Sequence, residues 1–176
     1  MNVLNIHGYK GTPFNAAYSA LCGLEKTIIS PEIDYDSDQP ETILNRLLDL
    51  CVSEKIDMIV GTSLGGFLAL LIAIKLQKPL LLVNPCLQPQ AVIPALGYES
   101  DVSRFAEMSA VFDDLDRKRV RCIIGGKDEV VGDRGYTKQL LGADHIIVIP
   151  DGMHSGATLE LDKHFPEMVR SIKGQI

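Results

Sequence analysis

The sequence predicts an α/β fold, a three-layer sandwich in which a six-stranded, mainly parallel sheet lies between helices on both of its faces. Two observations support this fold class. Short apolar runs that are typical of buried strands alternate along the chain with longer runs that are typical of helices. The 176 residues, of which 46% are hydrophobic, are enough for one domain with a full core. We therefore expect residues 1–176 to form a single domain.

Six short apolar runs are strand-like, because turn-forming residues bound them and Val, Ile and Leu are frequent in them. They lie at 3–6, 27–30, 56–60, 79–83, 120–124 and 145–149. Parallel strands need crossover connections, and these are almost always right-handed. The chain should therefore wind into a sheet that helices cover on both faces.

The intervening runs are helix-like, at 15–23, 40–54, 67–77, 101–115, 132–141 and 158–173. The run 67–77 is apolar at nearly every position, which predicts a helix buried on all sides. Three other runs carry apolar residues at helical spacing and should bury one face each. These residues are Ile43, Leu44, Leu47, Leu48 and Cys51; Val102, Phe105, Met108, Val111 and Phe112; and Leu159, Leu161, Phe165, Met168, Val169 and Ile172.

Composition and charge exclude several classes of function. The formal net charge is −6, and the basic cluster at 117–121 is interpreted as solvated charge, so nucleic acid is not an expected partner. The longest apolar run, 67–76, is about half as long as a membrane span. The first residues already read as a strand rather than a secretory leader. We therefore expect no membrane span and a cytoplasmic location.

The cysteines predict neither a metal site nor a redox site. Cys22, Cys51, Cys86 and Cys122 are widely spaced and form no C-x-x-C pair. We expect all four to be reduced thiols in the core. No other cluster of metal-ligating residues is visible, so neither a metal nor another cofactor is predicted.

The turn from Gly61 to Gly65 has the pattern G-x-S-x-G, with Ser63 at its centre, and joins the strand 56–60 to the helix 67–77. A serine on so sharp a turn has strained backbone geometry, and side chains two residues before or after it would collide. Gly66 allows the helix to approach the sheet closely. A plain tight turn is the alternative for the motif alone, but the strand before it and the helix after it favour a nucleophile elbow.

Polar or glycine-rich loops follow four of the strands, where ligands bind in open parallel sheets. They are 7–11, Ser63, 125–128 and 151–154. A serine hydroxyl needs an imidazole to accept its proton and a carboxylate to orient that imidazole. Ser63, His154 and Asp128 fit these roles of nucleophile, general base and acid.

Three other carboxylates compete with Asp128 for the third position. Glu129 points in a similar direction, Asp133 is expected to cap a helix that starts near Gly132, and Asp151 is close in sequence to His154. We choose Asp128, because two glycines before it allow its loop to fold back over the sheet end. His145 and His164 are expected to be peripheral.

The oxyanion of an acyl-transfer intermediate is best held by two backbone amides. Leu64 can supply the first amide, and Tyr9 the second, because Gly8 should let the backbone turn sharply toward Ser63. His7, Gly8 and Cys86 are candidate substrate-binding residues. For His7 a structural role within its own loop is favoured, and for Cys86 a buried inert thiol.

The segment 84–116 is the least regular part of the chain, with Pro85, Pro89, Pro94 and Gly97 in its first half. We expect a short lid-like insertion, whose first half walls one side of the pocket. Its second half, 101–115, should pack on the sheet as a helix.

The motifs His7 to Gly11, Gly61 to Gly66, Gly126 to Asp128 and Gly152 to His154 together resemble the α/β-hydrolase superfamily, over nearly the whole chain. The short chain resembles the compact YqiA/UPF0227-type bacterial esterases more than full-length lipases. This resemblance implies the sheet order second, first, third, fourth, fifth, sixth, and a truncated α/β-hydrolase fold without its first two antiparallel strands. It also implies a serine hydrolase that acts on a small-molecule carboxylic ester or thioester.

Two other classes of function stay open at this stage. A non-catalytic small-molecule-binding protein on the same fold is the first, because fold does not determine function. A nucleotide-binding domain is the second, although the glycine-rich loops match neither G-x-G-x-x-G nor the P-loop pattern. The acyl group, the leaving group and the oligomeric state also stay open.

Overall fold

A six-stranded parallel sheet forms the centre of the structure. The computed structural model describes residues 1–24, 27–132 and 134–173. Its strands are β1 (Asn2–Ile6), β2 (Thr27–Ile29), β3 (Met58–Thr62), β4 (Leu80–Val83), β5 (Val120–Gly125) and β6 (Ile146–Ile149). Their order is β2-β1-β3-β4-β5-β6, and each neighbouring pair is parallel. Both the sheet and its order confirm the prediction.

Alternate residues of the strands supply two separate cores, one on each face of the sheet. Leu4, Ile59, Leu82 and Ile124 belong to the first core, whereas Val3, Val60, Val83 and Ile123 belong to the second. Because both faces are buried at the centre of the sheet, β4 is apolar at all four positions, whereas β6 at the edge is only partly buried.

The helices lie on both faces of the sheet, as predicted. Their bounds are α1 (Ala16–Cys22), α2 (Pro40–Ser53), α3 (Leu64–Leu76), α4 (Pro89–Val92), α5 (Ser103–Met108), α6 (Gly135–Leu141) and α7 (Leu161–Lys173). Residues of α2, α3, α5 and α6 pack in the first core, and residues of α1 and α7 pack in the second. The predicted stripe of the last helix is buried in full.

The predicted helix at 101–115 is divided in the structure. After α5 the chain continues as a 3₁₀ helix, Ser109–Asp114. Because this tighter helix has three residues per turn, Phe112 still reaches the core beside Phe105, but Val111 turns outward and is 43% exposed. The prediction of a buried Val111 was therefore wrong.

Two other helix starts differ from the prediction. Helix α6 begins at Gly135 rather than at Gly132, whose φ of +65° is not helical. The predicted cap residue, Asp133, lies outside the described residues. Helix α7 begins at Leu161, because Glu160 before it has a left-handed φ of +49°.

The thiols and helices test two further expectations. Cys51, Cys86 and Cys122 are buried, but Cys22 is exposed at the end of α1, so the prediction of four core thiols was wrong for Cys22.

Among the described residues, no helix combines the length and the apolarity that crossing a membrane would need.

Candidate active site

Ser63 lies on a strained turn between β3 and α3. Its backbone has φ +53° and ψ −122°, a conformation that residues with a side chain rarely adopt. A Cβ atom on Gly65 would lie 2.4 Å from the carbonyl oxygens of Ile6 and His7, and one on Gly61 would lie 2.5 Å from the Cβ of Ala69. The two glycines of G-x-S-x-G are therefore required by close contact, as the sequence predicted.

Ser63 follows strand β3 with no residue between them. Strand β3 runs two residues beyond the predicted end, since Thr62 still pairs with Val83 of β4. The Ser63 amide then donates a hydrogen bond to the Val83 carbonyl at 3.0 Å. The position of the serine backbone is thus set by the neighbouring strand.

The structure brings Ser63, His154 and Asp128 together. Nε2 of His154 lies 3.1 Å from Oγ of Ser63, and its Nδ1 lies 2.8 Å from Oδ2 of Asp128. The three residues follow β3, β6 and β5, whose carboxyl ends meet at one edge of the sheet. The Asp128 side chain is 1% exposed, and that of His154 is 19% exposed.

Asp128 is held as a carboxylate. Burial raises its pKa, but the hydrogen bond from His154, the amide of Val131 and the charge of Arg134 outweigh that effect and bring the pKa to about 2. The amides of Val130 and Val131 both donate to Oδ1 at 2.9 Å. Because an ionised carboxylate only accepts hydrogen bonds, Nδ1 of His154 must carry a proton. In the neutral ring, Nε2 is then free to accept the Ser63 proton.

The competing carboxylates occupy other positions. Oε2 of Glu129 accepts the backbone N–H of His154 at 3.0 Å, so it contacts the histidine loop but not the imidazole nitrogens. Asp151 is exposed and pairs with Nζ of Lys127 at 2.6 Å. Of the described carboxylates considered for the third position, Asp128 alone bonds the ring of His154.

Gly8 brings the loop after β1 against Ser63. A Cβ atom at Gly8 would lie 2.8 Å from the Cβ of Ser63 and 3.3 Å from its Oγ. The loop turns between Gly8 and Gly11, whose amide donates to the Gly8 carbonyl at 2.9 Å, and its left-handed residue is Lys10, with φ +55°. Glycine is needed at position 8 for this close approach to the serine.

His7 is held within the protein. Its side chain is 1% exposed, and the Ile33 amide donates to Nε2 at 3.1 Å. Nδ1 must then carry the ring proton, which it donates to the Gly8 carbonyl at 2.8 Å. Since both nitrogens are occupied, the ring stabilises the loop, as the structural interpretation expected, rather than facing a ligand.

Cys86 is also enclosed. It is 1% exposed, and burial raises the pKa of its thiol to about 12. Its backbone amide donates to the Ser63 carbonyl at 3.0 Å. The contact with Ser63 is therefore through the backbone, and the thiol is a buried inert group in this structure.

A polar cavity of about 400 Å³ lies between the loop after β1 and the segment 84–116. It is lined by Tyr9, Lys10, Asp36, Gly97, Glu99 and Ser100. Nζ of Lys10 donates to the Leu96 carbonyl at 2.7 Å, and the rings of Tyr9 and Tyr98 meet edge to face. The proline-rich half of the segment thus contacts the loop that carries the Tyr9 amide.

Two buried polar residues beside the site were not predicted. Asn84 is fully buried directly after β4, and Arg134 is 7% exposed behind Asp128. Asn84 follows a strand end, so the rule that selected the other loops could have found it. Arg134 has no comparable sequence signal. In the part of the chain that the structure describes, no group of three or more His, Cys, Asp and Glu side chains could hold a metal ion.

The comparisons with known proteins agree with this architecture. A family model described as "Uncharacterised protein family (UPF0227)" matches residues 2–170. The chain belongs to the UPF0227 family. No curated protein matches the chain significantly.

Solved structures similar to this UPF0227 member have the α/β-hydrolase fold. One is MGS-MChE2, an α/β hydrolase enzyme from the metagenome of lagoon sediments at Mar Chica, Morocco. Its TM-score is 0.70 and its sequence identity is 17%, and the match covers 99% of this chain and 91% of that chain. A structure reported with carboxylesterases of the thaumarchaeon Nitrososphaera gargenis has a TM-score of 0.67 and 15% identity, covering 99% and 92%. The monoacylglycerol lipase of Paleococcus ferrophilus has a TM-score of 0.66 and 15% identity, covering 98% and 94%.

Proposed function

We propose that this UPF0227 member is a serine hydrolase that cleaves a carboxylic ester or a thioester through an acyl-enzyme on Ser63. The observation that carries the proposal is the hydrogen-bonded chain from Ser63 through His154 to the ionised Asp128. Three similar structures support hydrolase activity, since they are described as an α/β hydrolase enzyme, as part of a study of carboxylesterases and as a monoacylglycerol lipase. A binding protein would have no need of a strained serine aligned with an imidazole.

In the acylation step, Nε2 of His154 takes the Ser63 proton while Oγ attacks the substrate carbonyl carbon. A C–O bond forms and the carbonyl becomes an oxyanion. When the oxyanion collapses, the bond to the leaving alkoxide or thiolate breaks, and His154 gives its proton to that group. Asp128 stays ionised and stabilises the imidazolium. Water then repeats the sequence on the acyl-enzyme and releases the carboxylic acid.

The oxyanion hole would consist of the backbone amides of Leu64 and Tyr9. Leu64 opens α3, and the first amides of a helix have no acceptor within it. The Tyr9 amide follows Gly8, the residue that lies against Ser63. Each such donor is worth roughly 2.7 to 4 kcal/mol of transition-state stabilisation.

The substrate would be a small molecule that enters beside the segment 84–116. We propose that this segment acts as a short lid-like insertion in the single domain, because it meets the loop after β1 around the polar cavity. A panel of p-nitrophenyl esters and thioesters of graded acyl length would rank the substrates. The cytoplasmic location predicted from the sequence stays a prediction.

The proposal is tested by hydrolysis of p-nitrophenyl acetate. Ser63→Ala and His154→Ala should stay folded and lose nearly all activity above the background rate. His145→Ala and His164→Ala are matched controls and should keep it, because His145 contacts Arg121 and His164 lies on α7. A folded Ser63→Ala protein with the wild-type rate would refute the proposal. Equal losses in all three histidine variants would also count against the assignment.

A further inference from the structure

Asn84 uses its whole carboxamide in hydrogen bonds between separate parts of the chain. Oδ1 accepts from the Gly125 amide at 2.7 Å and from Nη2 of Arg134 at 3.1 Å. Nδ2 donates to the carbonyls of Met153 and His154, both at 2.8 Å. Two amide protons and two oxygen lone pairs are the full capacity of this side chain. Asn84 is fully buried and all its donors and acceptors are hydrogen-bonded, so replacing it should leave buried partners unsatisfied and lower stability.

These four bonds connect the two loops of the proposed triad. Gly125 ends β5 and begins the loop that carries Asp128, whereas Met153 and His154 belong to the loop after β6. The Asn84 amide itself donates to the Ile123 carbonyl at 2.9 Å, which extends the ladder between β4 and β5. Asn84 is thus fixed to the sheet by its backbone, and its one side chain bonds both loops.

Arg134 connects Asn84 to the carboxylate. Its Nη2 group donates both to Oδ1 of Asn84 and to Oδ2 of Asp128, and Nη1 donates to the Pro85 carbonyl at 2.9 Å. Oδ2 of Asp128 is the same oxygen that accepts Nδ1–H of His154. The orientation of this oxygen is therefore determined by the guanidinium and the imidazole together.

We propose that Asn84, with Arg134 behind it, is a positioning residue for the Asp128–His154 pair. The inference rests on the proposed function. Asn84 does not contact the reacting atoms of the serine or the imidazole; it sets the distance between the acid loop and the histidine loop. Loss of these bonds should let His154 move away from Ser63. Displacement of a catalytic group by about 1 Å can cost on the order of 10²-fold in rate.

Two substitutions at position 84 test the side-chain hydrogen bonds separately from the left-handed backbone conformation. The residue has φ +42°, so Asn84→Gly removes the carboxamide without adding backbone strain. Asn84→Asp keeps the shape and the acceptor for Gly125 and Arg134 but loses both donors to the histidine loop. Both variants should lower kcat about 100-fold and leave KM nearly unchanged, because ground-state binding does not use His154.

Gln77→Gly is the matched control for Asn84→Gly. Gln77 also has a left-handed φ, +52°, and its side chain donates to the Ile74 carbonyl at 2.8 Å. It follows the 13-residue helix α3, so it lies about 20 Å from Ser63. Gln77→Gly should keep the wild-type kcat even where its Tm falls.

Arg134→Met and Arg119→Met form the second pair. Arg119 also bonds an aspartate and a carbonyl, those of Asp116 and Gln77, but at the opposite end of the sheet. Both variants should lose stability, and only Arg134→Met should lose kcat. Arg134→Lys should recover part of the activity, because it keeps the charge but not the planar fork.

A readout independent of turnover is the downfield proton NMR signal of Nδ1–H in His154, assigned by its loss in His154→Ala. The signal should shift or broaden in Asn84→Gly and stay in place in Gln77→Gly. Folded Asn84→Gly with wild-type kcat and an unmoved signal would overturn the positioning role. If Ser63→Ala kept its activity, the proposed function would fail instead, and the NMR signal would still decide the role of Asn84.

Discussion

Replacement of Asp128 by asparagine should separate chemistry from folding at the proposed triad. Oδ1 of the new amide can still accept from Val130 and Val131. Its NH₂ group would then face Nδ1 of His154 and the guanidinium of Arg134, both of which are donors. The imidazole must therefore shift its proton to Nε2 and present N–H, rather than a lone pair, to Ser63. A histidine in that tautomer cannot accept the serine proton.

The expected loss of turnover is roughly 10⁴-fold, as for the equivalent change in serine proteases. Stability should fall as well, because removal of one partner of a buried ion pair costs about 3 to 5 kcal/mol. For a domain of this size, that corresponds to a decrease in Tm of roughly 6 to 20 °C. The variant should still fold at 25 °C, since domains of this size have about 5 to 15 kcal/mol of stability.

The assay combines p-nitrophenyl acetate kinetics with thermal unfolding monitored by circular dichroism. Asp151→Asn is the matched control, because Asp151 is exposed and pairs with Lys127 rather than with the histidine. It should change turnover and Tm little. If folded Asp128→Asn kept most of its activity while Asp151→Asn lost it, the assignment of the triad acid would be refuted.

Three further predictions concern pH, packing and thiol access. Because the pKa of Asp128 falls from 3.8 to about 2 on folding, its stabilising contribution is present above about pH 4 and lost as pH falls through about 2. The Tm difference between wild type and Asp128→Asn should narrow over that range, and a constant difference would contradict this. Gly65→Ala should abolish activity and lower Tm, because the new Cβ would lie 2.4 Å from the Ile6 carbonyl oxygen; an unchanged Tm would show that the elbow has room. Iodoacetamide should label Cys22 in the native protein and Cys86 only after unfolding, and rapid native labelling of Cys86 by peptide mapping would contradict its burial.

The sheet and the elbow could be predicted because their signals are local. A parallel strand that is buried on both faces is mainly apolar, and the contacts at Gly61 and Gly65 exclude any side chain. The order of nucleophile, acid and base along the chain then placed Ser63, Asp128 and His154 after strand ends. The structure brings these three residues into one hydrogen-bonded chain.

The residues that support this site were harder to predict, because their partners are distant in sequence. Asn84 bonds residues 41 and 70 positions away, and Arg134 bonds Pro85, 49 positions away. No sequence motif indicates hydrogen bonds between residues so far apart in the chain. Val111 and Cys22 show a second limit: whether a residue near a helix end is buried depends on the local helix type and on neighbouring elements, not only on spacing.

The central claim is that Ser63 carries the acyl group during turnover. The most direct measurement is acid quenching of the protein during hydrolysis of p-nitrophenyl acetate, followed by peptide mass spectrometry. The proposed mechanism predicts one acetyl group per chain, on Ser63, in the wild type and none at that position in His154→Ala. Turnover without an acetylated Ser63, or acetylation at another residue that accounts for the turnover, would contradict it.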